Sequence, residues 1–456
     1  MIETRTPHCK PNVLPGKPRG FSLIELMVAM VLGLVVAAGI ITLFTSTSKA
    51  NRVQAQLARM QEQGRFAVAR FVDDLRMGNA QYCSNSGGLP TNAGTSISPV
   101  VFQDEIRTPL VFAKSFSLPM NTVSLSAVTE PFPMPASFYM RGYDCDSSSC
   151  TPSAPPTSSG IPSMGTSAGD RIIGSDILTV RYLQGTGWSL DAGYSTQAPA
   201  TGSTSGKIEL TSITLAPAGS VEPPASHFQS GDLAMLAECS KSQVFAVSKS
   251  GNVLTPDKTL NFSGAGIQEP KLASRASTED ARLYDFSRDF VTVTYYLELR
   301  ADDNPDAPAG HLVGVLMRKV NNQAAQELVR GVERLDFRYG VSDSTGKVAY
   351  LTADDVDDRA AGSMVCPKGA KGLPSAWLDT NGQLPGCMWR AIRTIEVSML
   401  MDSVDFSPMS EGELAYTYPP DGSSVMTPPA SPTNGLERRM MRRSFTALVS
   451  VRNSNF

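Results

Sequence analysis

Histidine and tryptophan are the scarcest residues of this 456-residue chain, at three each. His8 lies in a polar N-terminal stretch, which leaves His227 and His311 for any chemistry that needs an imidazole. No G-x-S-x-G elbow or other nucleophile motif accompanies them, so nothing in the sequence supports a Ser-His-Asp or Cys-His hydrolase. There is no CxxC pair and no His-x3-5-His spacing of the kind that structural zinc sites use. "GSTSGKI", residues 202–208, has phosphate-loop residue types at the wrong spacing, and Ile208 stands where Ser or Thr should follow the lysine. Charge is sparse too: Asp, Glu, Lys and Arg make up 18% of the chain and sum to −3, without the concentrated basic face that nucleic acid selects. Neither an enzyme nor a nucleic-acid binder is indicated, and no cofactor is expected.

What is plentiful is 37 glycines, 32 prolines and loops crowded with Ser and Thr, a composition that suits a β-rich extracytoplasmic protein. Seven cysteines are present. Cys9 precedes Phe21; the others, Cys83, Cys145, Cys150, Cys239, Cys366 and Cys387, form an even set suited to disulfides in an oxidising compartment. Their connectivity is open. Spacing favours Cys145 with Cys150 around "DSSS" and Cys366 with Cys387 around a Gly/Pro-rich loop, leaving Cys83 for Cys239. Two acidic clusters offer oxygen ligands of the kind Ca²⁺ takes: Asp302, Asp303, Asn304 and Asp306 in "ADDNPDAPAG", and Asp354, Asp355, Asp357 and Asp358 in "TADDVDDRAAG". Neither fits an EF-hand loop. Solvated turns are the simpler reading, and the expectation for metal is none.

Long apolar runs occur once, in "KPRGFSLIELMVAMVLGLVVAAGIITLF", residues 17–44. From Phe21 to Phe44 only Ser22, Glu25 and Thr42 are polar. As a helix rising about 1.5 Å per residue this segment reaches about 36 Å, enough to cross a hydrocarbon core of about 30 Å. A secretory signal should have a shorter apolar region and an A-x-A-like cut site. A plain anchor leaves Glu25 unexplained, because a carboxylate in hydrocarbon costs on the order of 2.5 kcal/mol or more. Lys10, Lys17 and Arg19 before the run argue for a cytoplasmic N-terminus. Lys49, Arg52 and Arg59 beyond it make that asymmetry slight.

"RGFSLIELMVAMVLG" resembles the processing site of type IV prepilins: a basic residue and Gly, then Phe, three residues, Glu and an apolar helix. The resemblance implies that a prepilin peptidase cuts between Gly20 and Phe21 and methylates the new amine of Phe21. It also implies a role for Glu25, whose carboxylate would meet the Phe21 amine of a neighbouring subunit, neutralising two charges that are each costly in lipid. The proline that many major pilins carry inside this helix is missing; none occurs between Pro18 and Pro90. A straighter helix is expected.

From Ser46 to about Met77 the helical pattern continues, with Val53, Leu57, Met60, Gly64, Val68, Phe71 and Leu75 in one apolar stripe. Arg52, Arg59, Glu62, Arg65, Arg70 and Arg76 occupy the other faces and read as solvated. Gly64 costs such a helix about 1 kcal/mol relative to Ala, which suggests a bend or a close packing contact there. "CSNSGGLPTNAGTS" ends the pattern. Strands are expected at 176–183, 207–215, 232–236, 243–248, 290–300, 310–319, 333–341, 392–401 and 443–452, many with β-branched or aromatic alternation as in "FVTVTYYLELR". Residues 144–169 and 192–206 are Ser/Pro/Gly-rich and read as mostly mobile loops. No domain boundary is evident within the head.

"GDLAMLAECSKSQVFAVS", "ELVRGVERLDFRYGV" and "RRSFTALVSVRN" are similar to segments of PilW-type minor pilins, which share a head plan with the larger minor pseudopilins of type II secretion. The expected class is α+β: a long N-terminal pilin-type helix, membrane-spanning in its first half, packed on a β-rich, largely antiparallel head with long loops. The division is a leader at 1–20, a membrane or filament-core helix at 21–45, the rest of the helix at 46–82 and the head at 83–456. The resemblance implies a minor pilin of the cytoplasmic membrane with its head in the periplasm, reaching the pilus after assembly. The implied partners are other minor pilins, the major pilin, prepilin peptidase, the inner-membrane assembly machinery and the membrane itself through residues 21–44. Two alternatives remain open, a type II secretion pseudopilin and a pilus-carried adhesin displaying its Ser/Pro-rich loops.

Overall fold

A single helix, α1 (Leu23–Met77), carries the N-terminal part of the chain for 55 residues without a break, as a segment free of proline allows. It ends with Asn79 in the left-handed region at φ 60°, a conformation Asn accepts at a helix C-terminus. The structure is a computed structural model and describes residues 20–79, 109–120, 128–190, 195–199, 208–215, 222–237, 242–263, 270–272, 281–305, 307, 309–366, 386–405, 407, 409–410, 412–427 and 440–451. Two compact units result, one ending at Ala55 and one running from Gln56 to Phe456. The second contains the last turns of α1 and all the strands.

The strands used below are β1 (Met140–Cys145), β2 (Ile177–Leu183), β3 (Leu233–Ala237), β4 (Ser242–Ser250), β5 (Phe290–Ala301), β6 (Leu312–Val320), β7 (Gln326–Arg330), β8 (Val332–Ser342), β9 (Val348–Leu351), β10 (Ile392–Asp402) and β11 (Arg442–Ser450). They are distributed over three sheets. The C-terminal sheet has order β9-β8-β10-β11 and is antiparallel throughout. A second sheet runs β7-β6-β5-β2-β1 and continues to Cys150–Thr151. The third is built around β3 and β4 with further strands on either side, and both its faces are buried. Alternation shows this directly: Met235, Val244 and Ala246 pack into one core, while Ala234, Phe245 and Val247 pack into the other.

The helix crosses two of these sheets. Met60, Gly64, Ala67, Phe71 and Leu75 are buried, so the apolar stripe of the sequence is the face turned to the strands. A Cβ on Gly64 would lie 2.6 Å from Cε1 of Phe445 in β11, so this glycine marks a close contact rather than a break. One to two turns on, Phe71 packs on Tyr295 of β5 at 4.5 Å between ring centroids and on Phe337 of β8 at 6.1 Å. The chain passes between the two sheets at Gly331, which has φ +79° and leaves no room for a Cβ beside the Asp402 carbonyl at 2.9 Å. Asp176 fastens the same junction by accepting hydrogen bonds from the Cys145 amide of β1 at 3.0 Å and the Phe337 amide of β8 at 2.9 Å.

All nine expected strands are present with ends shifted by one or two residues. Strands β1, β7 and β9 had no strong alternation and were not expected. The loop at 144–169 contains regular pairing: Cys145 pairs with Cys150, Met164–Gly165 pairs with Arg171–Ile172, and Ser159 is buried. In the other Ser/Pro-rich region, Ser195–Pro199 forms a strand against Ile208–Thr214. Polar composition concealed pairing that is decided by backbone hydrogen bonds.

Gly64→Leu should lower the unfolding free energy of the full chain in detergent by about 1–3 kcal/mol, because Phe445 occupies the space the new side chain needs. An unchanged denaturant midpoint would contradict the helix seat described here.

Candidate functional site

The N-terminal element begins with Gly20 and Phe21, both exposed, ahead of the first helical residue Leu23. Ser22 occupies the N-cap position, and its backbone N–H donates to Glu25 Oε2 at 3.4 Å. Ser22-x-x-Glu25 is thus a capping-box arrangement in which the third helical residue reaches back to the cap. A carboxylate in the first turn also opposes the partial positive charge of the helix N-terminus. Glu25 therefore has a local partner within its own chain, a role the S-x-x-E spacing encodes. Side chains from Phe21 to Phe44 are exposed, including those of Leu23, Leu34 and Phe44. The hydroxyls of Thr42 and Thr45 donate to the carbonyls of Gly39 at 2.8 Å and Thr42 at 3.0 Å, which satisfies them inside an apolar surface. Among the described residues, α1 is the one helix long and apolar enough to cross a membrane.

The second half of the element is its fastening in the head. Asp74 lies on the buried face of α1, 4% exposed, where a lone carboxylate would be prohibitive. Arg318 of β6 grips it with two bonds, Nε to Oδ2 at 2.7 Å and Nη2 to Oδ1 at 3.0 Å. Tyr182 of β2 donates to Oδ1 at 2.9 Å, and Tyr295 of β5 donates to Oδ2. Burial pushes the carboxyl upward, but the hydrogen bonds from Arg318 and Tyr295, with the charge of Arg318, outweigh it and hold Asp74 below its ordinary value of 3.8. Asp74 was missed in the sequence, where three residues after Phe71 it falls on the apolar stripe. Of the flanking charges, Arg52, Arg59, Glu62, Arg65 and Arg76 are exposed as expected, whereas Arg70 is half-buried; Arg59 lies 3.6 Å from Asp405.

The other marked residues are engaged in local structure. Asp302 accepts from the Asn304 amide at 2.9 Å and meets His311 Nδ1 at 2.8 Å across the mouth of the β5–β6 hairpin. Asp303 pairs with Arg330 at 2.7 Å, and Asp306 lies outside the described residues. In the second cluster, Asp357 binds Arg141 and accepts from Trp389 Nε1 at 3.1 Å, while Asp358 closes the following turn by accepting from Ala361 at 3.0 Å. No group of three or more His, Cys, Asp and Glu placed to hold a metal ion occurs among the described residues. Disulfides join Cys145 to Cys150 and Cys366 to Cys387, with Cα separations of 4.0 and 5.7 Å. Cys83 and Cys239 lie outside the described residues.

Residues 16–41 match the family model of the prokaryotic N-terminal methylation motif. Residues 295–453 match that of the type IV pilus-assembly protein W. The second match begins at Tyr295 and contains Arg318, Phe337 and Phe445, which are among the residues on which α1 is seated; Tyr182 precedes it. No curated protein and no solved structure matches the chain. The chain is thus similar to the PilW family over residues 295–453 and carries a prepilin-type N-terminal motif.

Asp74→Ala, which strands Arg318 in the interior, should destabilise the full chain by about 3–5 kcal/mol, and adding Arg318→Met should restore most of the loss. The pair also sets a pH dependence. Because the folded carboxyl titrates below 3.8, its contribution is complete above that pH and disappears as pH falls through the lowered folded value. Denaturant titrations of wild type and Asp74→Ala at neutral pH and in strong acid should therefore converge in acid.

Proposed function

We propose that this PilW-like chain is a minor pilin that takes part in type IV pilus assembly, within a small complex of minor pilins that primes or caps the filament. The observation that carries the reading is the joint presence, in one chain, of a methylation-motif match at 16–41 and a pilus-assembly match at 295–453. The prepilin is held in the cytoplasmic membrane by residues 21–44, with its head in the periplasm. Prepilin peptidase removes residues 1–20 and methylates Phe21. The other minor pilins, the major pilin and the inner-membrane assembly machinery are its partners, and its work is assembly rather than catalysis.

Glu25 acts twice in this reading. Before assembly its carboxylate caps its own helix through the Ser22 amide, at 3.4 Å. During assembly the Phe21 amine of an adjacent subunit offers a charged donor, and the exchange leaves neither group uncompensated in lipid. The length of the capping bond supports the exchange, since a neutral amide at that separation is a weak competitor for an ammonium.

The N-terminal peptide from membranes of the producing cell should begin at Phe21 and carry one extra methyl by mass spectrometry. A start at Met1, or a cut elsewhere, would overturn the processing step. Glu25→Ala and Glu25→Gln should both insert in the membrane, and both should be poorly incorporated into pili. Gln still serves a capping box. Normal incorporation of Glu25→Gln beside a defective Glu25→Ala would assign Glu25 to capping alone and remove the pairing.

A further inference from the structure

Arg171 is 3% exposed and sits beneath the hairpin loop that the Cys145–Cys150 bridge closes. Its guanidinium donates through Nη1 to Cys145 Sγ and through Nη2 to Cys150 Sγ, both at 3.4 Å, and through Nη1 to the Ser175 carbonyl at 3.3 Å. Its Nε is buried without a hydrogen-bond partner among the described residues. The nearby carboxyl of Asp176 spends its two oxygens on the amides of Cys145 and Phe337. Glu298, opposite Arg171 on β5, is bonded to Arg300 at 2.8 Å and Tyr296 at 3.4 Å. A buried cation is thus presented mainly to two disulfide sulfurs, which are weak and neutral acceptors. Thiolates at the same positions would be far stronger acceptors for these two donors and would bring negative charge against the guanidinium. The surroundings are better matched to the reduced pair than to the bridge they contain.

We propose that Cys145–Cys150 is a thiol-exchange site of the head, opened by low-molecular-weight thiols or an external dithiol, with Arg171 holding the thiolate that leaves. An incoming thiolate forms a bond to one cysteine sulfur as the Cys145–Cys150 bond breaks, and the electron pair of that bond stays on the other sulfur, beside Arg171. A second thiolate then attacks the mixed disulfide, releasing the oxidised reagent and the remaining cysteine thiolate. In sum, one protein disulfide and two thiols give two cysteine thiols and one external disulfide, a two-electron exchange. Cys145 and Cys150 are 6% and 7% exposed, and the residues between them, Asp146 to Ser149, are exposed, so one solvated loop separates the bridge from solvent. Opening it unclasps β1 from Cys150–Thr151, whose described pairing consists of two residue pairs. The Cys366–Cys387 bridge provides an internal reference on the same molecule.

The test is a redox titration of the full chain in detergent against reduced and oxidised dithiothreitol, with acid quench, differential alkylation and peptide mass spectrometry. In native protein Cys145–Cys150 should be half open at a reduced-to-oxidised ratio at least about tenfold lower than Cys366–Cys387, equivalent to about 30 mV for a two-electron couple. Repeating the titration in urea should abolish this advantage. Arg171→Gln should abolish it in the native chain while Cys366–Cys387 stays at its wild-type midpoint. A native advantage that is absent, or that persists in urea or in folded Arg171→Gln, overturns the proposal. If Arg171→Gln also opens Cys366–Cys387 early, the variant is unfolded, and the wild-type comparison between native buffer and urea decides.

Discussion

A carboxylate on the buried face of a helix is tolerable only where the surrounding structure supplies its countercharge and hydrogen bonds, and Asp74 obtains these from three strands that lie more than 100 positions away from it in the chain. Arg318 supplies two bonds while Tyr182 and Tyr295 supply one each, so every lone-pair direction that matters is filled from β2, β5 and β6. The pair is specific as well as stabilising. An apolar helix face alone can slide along an apolar sheet, whereas a bidentate guanidinium fixes one height and one rotation. Phe71 on Tyr295 and Phe445 over Gly64 then fall into place along the same face.

This seat connects the sheets. The Asp74 anchor lies on the sheet containing β5 and β6, and the Gly64 contact lies on the C-terminal sheet. Asp176 and Gly331 join those two sheets at their common junction. Most of the residues that hold α1 on the strand side fall within the stretch similar to the pilus-assembly family, with Tyr182 of β2 the exception, so the recognisable part of the head is where the helix is largely fastened. The third sheet, with cores on both faces, needs no such anchor: its strands are buried from either side by alternation alone. It carries much of the chain that precedes the matched stretch.

Glu25 and Asp74 form an instructive pair. Both are acids on one helix at positions where an apolar residue would be the simpler choice, and each is compensated in a different way. Asp74 is satisfied inside its own subunit by charge. Among the described residues Glu25 has the Ser22 amide alone, exposed and loosely held. A satisfied acid in the interior does structural work, while a loosely satisfied one on an apolar surface retains the capacity to take another partner.

The sequence by itself determined the length and continuity of α1, its apolar stripe, the nine alternating strands and the prepilin-type N-terminus, because periodicity, proline placement and short motifs are local properties. It did not determine strand order, the pinning of the 144–169 loop, or the countercharge of Asp74. Those depend on residues such as Arg318 that lie 244 positions away and become neighbours only when β2, β5 and β6 align. Nor did the spacing of Cys145 and Cys150 indicate that Arg171 would lie under their sulfurs. Tertiary structure decided these points for one physical reason: a buried polar group must find its partner wherever the fold brings one, and no local pattern records where that is.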